Sequence, residues 1–294
     1  QPSGGPRGAV VAVARADARN ATTTSPDSTM PPNVLSAARF SGNLDAMADL
    51  VLTTRVNDVI VLELNRPDKR NALSIDLIDA LNAAIGALEQ DTSIRSVILG
   101  GQGKSFCAGM DLQGVLDDPQ AMAGMLLGLS EAARRLRRLP VPVIARVHGA
   151  AIGGGCGLSV VADITLSHPE AKLGYPEVSL GVCPAVVAPW LIKKVGAGRA
   201  RTLLLTGGTM SGSEAHAIGM VDVLHPREDL DQAALDLAEK LAGGGQHALA
   251  VTKRWLNELD GSMEDDPSIE AARLSAEVIA GEEAQARLQA IFSR

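Results

Sequence analysis

Strand-length aliphatic runs alternate with helix-period segments through the middle of the chain, and this alternation limits the fold more than any other feature. Val59–Leu64 (VIVLEL) reads as a buried strand, and Asn65, Arg66, Pro67 and Asp68 break it. Ser74 can cap a helix in which Leu77, Ile78, Leu81, Ile85 and Leu88 recur at helical spacing, with Asp76 and Asp79 favourable in its first turn. Further strands are expected at 96–100, 141–147 and 162–166, with helices in 119–138 and opening at Gly153 to Gly155. Strands separated by helices imply parallel crossovers and an α/β architecture. From Pro184 onward the pattern is helical, at about 228–242, 246–259 and 267–291, apart from a strand-like stretch at 219–224. Those helices can cover the α/β core or bury against another subunit, and both placements stay open.

The core must be built from Ala, Val, Leu and Ile, because aromatic residues are only 2% of the chain. So few aromatics, with a net charge of −7, speak against a nucleic-acid surface. No stretch approaches the ~20 apolar residues of a membrane span. Cys107, Cys156 and Cys183 lie far apart without metal or disulfide spacing, which points to a reducing, cytoplasmic compartment, or the mitochondrial matrix in a eukaryote. Residues 1–47 are rich in Ala, Ser, Thr, Pro and Gly and are expected to be a disordered arm, with a weak transit peptide as the alternative.

Three glycine clusters invite nucleotide readings, and each departs from the pattern. Gly103-Lys104-Ser105 ends like a P-loop, but Ile98 stands where its first glycine belongs. Gly153, Gly155 and Gly157 are followed by Leu158 where a dinucleotide fingerprint needs glycine, and Gly207-Gly208 fits a helix-ending turn. In combination the clusters mean more. The segments 105–112 (SFCAGMDL) and 148–156 (HGAAIGGGC) each follow a strand and expose backbone N–H groups at its end, where α/β proteins place ligands. A helix start leaves its first N–H groups unpaired, and glycine lets a ligand oxygen come close. Two such donors converging can stabilise an oxyanion.

Five segments in register resemble the crotonase (enoyl-CoA hydratase/isomerase) superfamily: 64–73 (LNRPDKRNAL), 106–112 (FCAGMDL), 142–156 (PVIARVHGAAIGGGC), 162–164 (ADI) and 174–181 (GYPEVSLG). The resemblance implies a spiral of β-β-α turns over 48–225 and a helical C-terminal trimerisation region over 226–294. It also implies a homotrimer or hexamer, an acyl-CoA thioester substrate, and no cofactor or metal beyond the coenzyme A of the substrate. The N–H groups of Met110 and Gly154 would form the oxyanion hole. Lys69, Arg70, Ala72, Leu73 and Ala108 would hold coenzyme A, with Asp111, Leu112 and Gly155 beside the substrate and Asp111 orienting its turn.

Family hydratases commonly carry two glutamates that hold a water. The first position here is Gly157; the second, Glu177, is present. One carboxylate permits hydration of a 2-enoyl-CoA, towards which the resemblance leans, or Δ3,Δ2-enoyl-CoA isomerisation, which needs a single base. A non-catalytic acyl-CoA-binding paralogue is a third reading. The segment 175–189 (YPEVSLGVCPAVVAP) is similar to bacterial members acting on methylglutaconyl-type thioesters in leucine or isoprenoid breakdown. His148, Cys107 and Cys156 are expected to be structural. Glu131 can replace the missing carboxylate or lie on a solvated helix face. Arg134, Arg135, Arg137 and Arg138 can meet phosphates or be solvated, with Glu131–Arg135 as an i,i+4 pair.

Overall fold

The computed structural model describes residues 50–116 and 118–292; the arm expected at 1–47 lies outside them. The chain order is β1 (Val51–Val56), β2 (Val59–Leu64), α1 (Ile75–Gln90), β3 (Ser96–Gly101), α2 (Pro119–Arg138), β4 (Val143–Val147), β5 (Ala151–Ile152) and α3 (Gly154–Val161). There follow β6 (Ile164–Ser167), β7 (Lys172–Gly174), α4 (Ala188–Val195), α5 (Ala197–Thr206), β8 (Thr209–Ser211), α6 (Gly212–Ala217) and β9 (Val223–Leu224). The chain then runs through α7 (Leu230–Ala242), α8 (Gln246–Leu259), α9 (Asp266–Ala280) and α10 (Glu282–Phe292).

The large sheet has the order β1-β2-β3-β4-β6-β9, parallel from β2 onward, with β1 added antiparallel as a hairpin. A smaller sheet, β5-β7-β8, stands beside it. Isolated bridges pair Leu73 with Met110 and Cys107 with Ala151, and Ala151 lies opposite Leu173 in β5–β7. Successive turns thus place a long strand in the large sheet and a short extended piece in the small one, which is the β-β-α spiral.

The central strands carry apolar residues on both faces because both faces are covered. On the outer face Val59, Ile98, Ile144 and Leu166 meet Leu230, Ala234 and Ala238 of α7. On the inner face α1 and α2 supply Leu77, Leu81, Ile85, Met125, Leu129 and Leu136. Ser74 caps α1 by accepting the Leu77 N–H. Of the two placements the sequence leaves open for the C-terminal helices, α7 takes the first by covering the sheet. α9 also packs within the chain: the Ser130 hydroxyl of α2 donates to the Ser268 carbonyl at 2.9 Å.

Element ends differ from expectation where a local group competes. Pro142 has no N–H to give the ladder, so β4 starts at Val143. The Asp163 carboxylate accepts the Val143 N–H, and β6 begins one residue later. The helix expected at 267–291 is two helices, broken where Gly281 turns extended at ψ 152. The arginines of α2 neither face solvent freely nor form an open phosphate patch. Arg134 and Arg138 grip Asp265, and Arg137 grips Asp260, tying α2 to the turn before α9.

Candidate active site

Asn71 organises one side of the site. It is fully buried at φ +56, and its amide donates to the Gln102, Ser105 and Phe106 carbonyls at 2.9, 2.9 and 3.1 Å. Its Oδ1 accepts the Arg66 N–H at 2.8 Å. This staple holds the 66–73 loop against the strand-end loop 102–106, and Ala108 N–H then donates to the Arg70 carbonyl at 3.0 Å. We expect Asn71→Ala to destabilise the protein by about 2 kcal/mol, since buried acceptors lose their donor; urea unfolding checks this.

The backbone pairing sets where Met110 points. Leu73 N–H donates to the Gly109 carbonyl and Asp111 N–H to the Leu73 carbonyl, so the intervening Met110 N–H faces away from that strand. Cys107 pairs on the opposite side with β5, whose end leads into α3. Gly154 is the first residue of α3, and its N–H has no intrahelical acceptor. Neither N–H has a backbone or side-chain acceptor among the described residues. A β-carbon on Gly154 would lie 3.5 Å from the Met110 sulfur, so the two residues are neighbours. Gly153, at φ +54 and ψ −122, makes the turn into α3 that only glycine adopts readily.

Glu177 opens the 3-10 turn Glu177–Leu180 after β7, and its backbone carbonyl accepts the Val182 N–H at 2.9 Å. Its Oε1 lies 2.9 Å from where a Gly153 β-carbon would stand, which puts the carboxylate directly over the start of α3. Oε2 is buried without a hydrogen-bond partner. Burial pushes this carboxyl from its ordinary 4.5 up to about 7. Met110, Gly153, Gly154 and Glu177 line one cavity of about 110 Å³, whose other walls are mainly apolar, including Leu126, Leu129, Ile152, Val186, Val187 and Ile279. Among the described residues no lysine, arginine or histidine lines it.

The family model for enoyl-CoA hydratase/isomerase matches residues 54–289. The chain belongs to this family. A short-chain-enoyl-CoA hydratase of Clostridium acetobutylicum is 33% identical over 211 residues, covering 70% of this chain and 80% of that protein. The 1,2-epoxyphenylacetyl-CoA isomerase of Escherichia coli is 34% identical over 222 residues, covering 73% and 84%. The crystal structure of an enoyl-CoA hydratase/isomerase from Xanthobacter autotrophicus Py2, 28% identical, matches with a TM-score of 0.75 over 83% of this chain and 93% of that one. This is an enzyme of the enoyl-CoA hydratase/isomerase family with the crotonase fold.

Of the site residues expected in this family member, Met110, Gly154, Glu177, Ala108 and Leu112 come together on the cavity wall. Lys69 and Arg70 lie exposed on the stapled loop, with Ala72 half-buried beside them, and none of the three lines the cavity. Leu73 is buried behind Gly154. Asp111 and Gly155 make contacts away from the cavity wall. Asp111 does not line the cavity: its carboxylate pairs with Arg66 at 2.6 Å, while Arg66 also donates to the Ala72 carbonyl at 3.1 Å. Gly155 packs closely on the Cys107 segment, where a β-carbon would stand 2.5 Å from the Cys107 carbonyl oxygen. Cys107 and Cys156 are buried, and burial pushes both thiols up to about 12, so they are packing residues. His148 Nε2–H donates to the Gly103 carbonyl at 3.2 Å, holding a loop. Glu131 is exposed and 3.8 Å from Arg135, whose closer partner is Glu89 at 2.7 Å.

Gly157, the position lacking a carboxylate, has its side-chain space already filled. A β-carbon there would overlap Val187 Cγ1. Nothing in the sequence near Gly157 signals this, because Val187 arrives from the segment before α4. Leu126, Leu129, Ser275 and Ile279 are likewise brought in by helices α2 and α9.

The raised Glu177 carboxyl also has a stability signature. Relative to the unfolded chain, its favoured protonated form costs nothing below pH 4.5, and the burden grows until pH rises through about 7. Glu177→Gln is therefore expected to raise the melting temperature over the wild type above pH 7. That gain should vanish below pH 4.5, as scanning calorimetry across this window would read.

Proposed function

We propose that this enzyme adds water reversibly to a 2-enoyl-CoA, with the ionised Glu177 taking a proton from the water that attacks the β-carbon and returning it to the α-carbon. The Met110 and Gly154 N–H groups donate to the thioester oxygen as charge develops on it. One observation carries this reading: a buried carboxylate held near pKa 7 stands over Gly153, beside two unpaired N–H groups, in an otherwise apolar cavity. A carboxyl near neutrality is suited both to take and to return a proton. Activity is expected to rise with pH through about 7 as Glu177 ionises, which a pH–rate profile checks. The reaction draws on no cofactor beyond the substrate's own coenzyme A, whose adenine end the 69–73 loop and Ala108 hold.

The acyl group we assign is short and apolar. A methylglutaconyl thioester would bring a second carboxylate against walls on which the described residues offer no cation, and an unpaired buried charge is costly. Assembly as a homotrimer or hexamer is part of the proposal. It is supported by Trp255, Leu256 and Leu259, which leave α8 with an apolar outer face 55 to 65% exposed. Among the described residues no helix is long and apolar enough to cross a membrane.

A second reading, isomerisation of a 3-enoyl-CoA, is favoured by Val187 filling the space at Gly157, since a one-base 1,3-proton shift needs no second carboxylate. Mass spectrometry of the enzyme with crotonyl-CoA, 3-methylglutaconyl-CoA and a 3-enoyl-CoA separates these readings. Product heavier by one water supports hydration. A chromatographic shift without mass change supports isomerisation instead, and no turnover of any thioester refutes both.

A further inference from the structure

The cavity that holds Glu177 shares a wall with an apolar groove on the outside of the enzyme. Val182, Cys183 and Pro184 line both. On the inner side α9 contributes Ser275 and Ile279, each 2% exposed. On the outer side the groove is lined by Leu204 and Leu205 of α5 and by Val278 of the same α9. The wall is therefore one chain thick, and α9 meets it along a seam with the Glu177 cavity on one side and the groove on the other.

One side-chain hydrogen bond closes that seam. The Ser275 hydroxyl donates to the Cys183 carbonyl at 2.9 Å, and among the described residues no other hydrogen bond joins α9 to residues 182–184. Pro184 has no N–H with which to add one. The wall's start is fixed elsewhere, by Val182 N–H on the Glu177 carbonyl and by Gly181, at φ +76, packed on Ala284 and Arg287 of α10. Release at Ser275 thus frees Cys183 and Pro184 without unseating the Glu177 turn.

We propose that Ser275 latches this wall and, with Ile279, sets the length of acyl chain the enzyme accepts. Latched, the cavity ends at Ile279 and admits short acyl groups. Unlatched, the tail of a longer chain passes between α9 and the wall into the outer groove, where Leu204, Leu205 and Val278 cover it. This rests on the proposed function only in taking the ligand to be an acyl-CoA.

The test is calorimetric binding of butyryl-, octanoyl- and dodecanoyl-CoA to the wild type, Ser275→Ala, Ile279→Ala and Ser275→Ala/Leu205→Glu, with melting temperatures measured alongside. The wild type should favour butyryl-CoA. Ser275→Ala and Ile279→Ala should each raise the dodecanoyl-to-butyryl affinity ratio by about tenfold, the scale on which hydrophobic pockets discriminate chain length. The charge at position 205 should cancel the gain. Ratios unmoved in both single variants overturn the proposal, as does a Leu205→Glu change that alters only the molecular mass in solution, which would assign the groove to a second copy of the chain. Catalysis is judged apart: a wild type that binds these thioesters yet turns over no enoyl-CoA refutes the proposed reaction and leaves the latch standing.

Discussion

Glu177→Gln is expected to lower kcat/KM for the enoyl thioester by about 10²–10⁴-fold, the usual worth of a positioned proton-transfer group. The amide is nearly isosteric, so the turn that carries it and the Met110 and Gly154 N–H groups stay in place. Thioester binding should hold within a few-fold for the same reason. The effect should lie in kcat, because the carboxylate acts on the α-carbon proton and not on the ground-state carbonyl. A loss confined to KM would contradict this role. The variant's residual rate should also lose the rise through pH 7 that the buried carboxyl gives the wild type.

Restoring a carboxylate at position 157 is expected to disable the protein before it can help it. Gly157→Glu drives a side chain into Val187, at an overpacking cost of about 1–3 kcal/mol. Burying another polar group without a partner adds about 2 kcal/mol or more. The melting temperature should fall by about 2–4 °C for each kcal/mol lost. Gly157→Glu/Val187→Ala should recover the overpacking part of that loss, and its hydration rate should exceed that of the single variant. If Gly157→Glu alone is as stable as the wild type, Val187 does not occupy the space as described.

The parts of the site that the sequence reveals are those whose geometry is local. Gly153 and Gly154 follow a strand and start a helix, so an unpaired N–H at Gly154 is dictated within a few residues. Glu177 follows its strand as closely. Telling Gly154 from Gly155 is harder, because adjacent glycines look alike in a string and only the close approach of the Cys107 carbonyl distinguishes them. Asp111 sits in the right motif yet answers to Arg66, a partner from another loop. Val187, Ser275 and Ile279 carry no mark of their role, since each reaches the cavity through packing between distant segments. The small sheet is illegible for a different reason: strands of two or three residues, such as β5 and β7, are too short to show a period. β1 escapes notice because, as an edge strand, it exposes Thr53, Thr54 and Arg55 in a row.

The most direct measurement is deuterium incorporation at the α-carbon when the enzyme and Glu177→Gln act on crotonyl-CoA in heavy water, followed by mass spectrometry and NMR. One deuterium is expected at the α-carbon of the product with the wild type and almost none in the same time with Glu177→Gln. Equal incorporation by both proteins would contradict this role of Glu177.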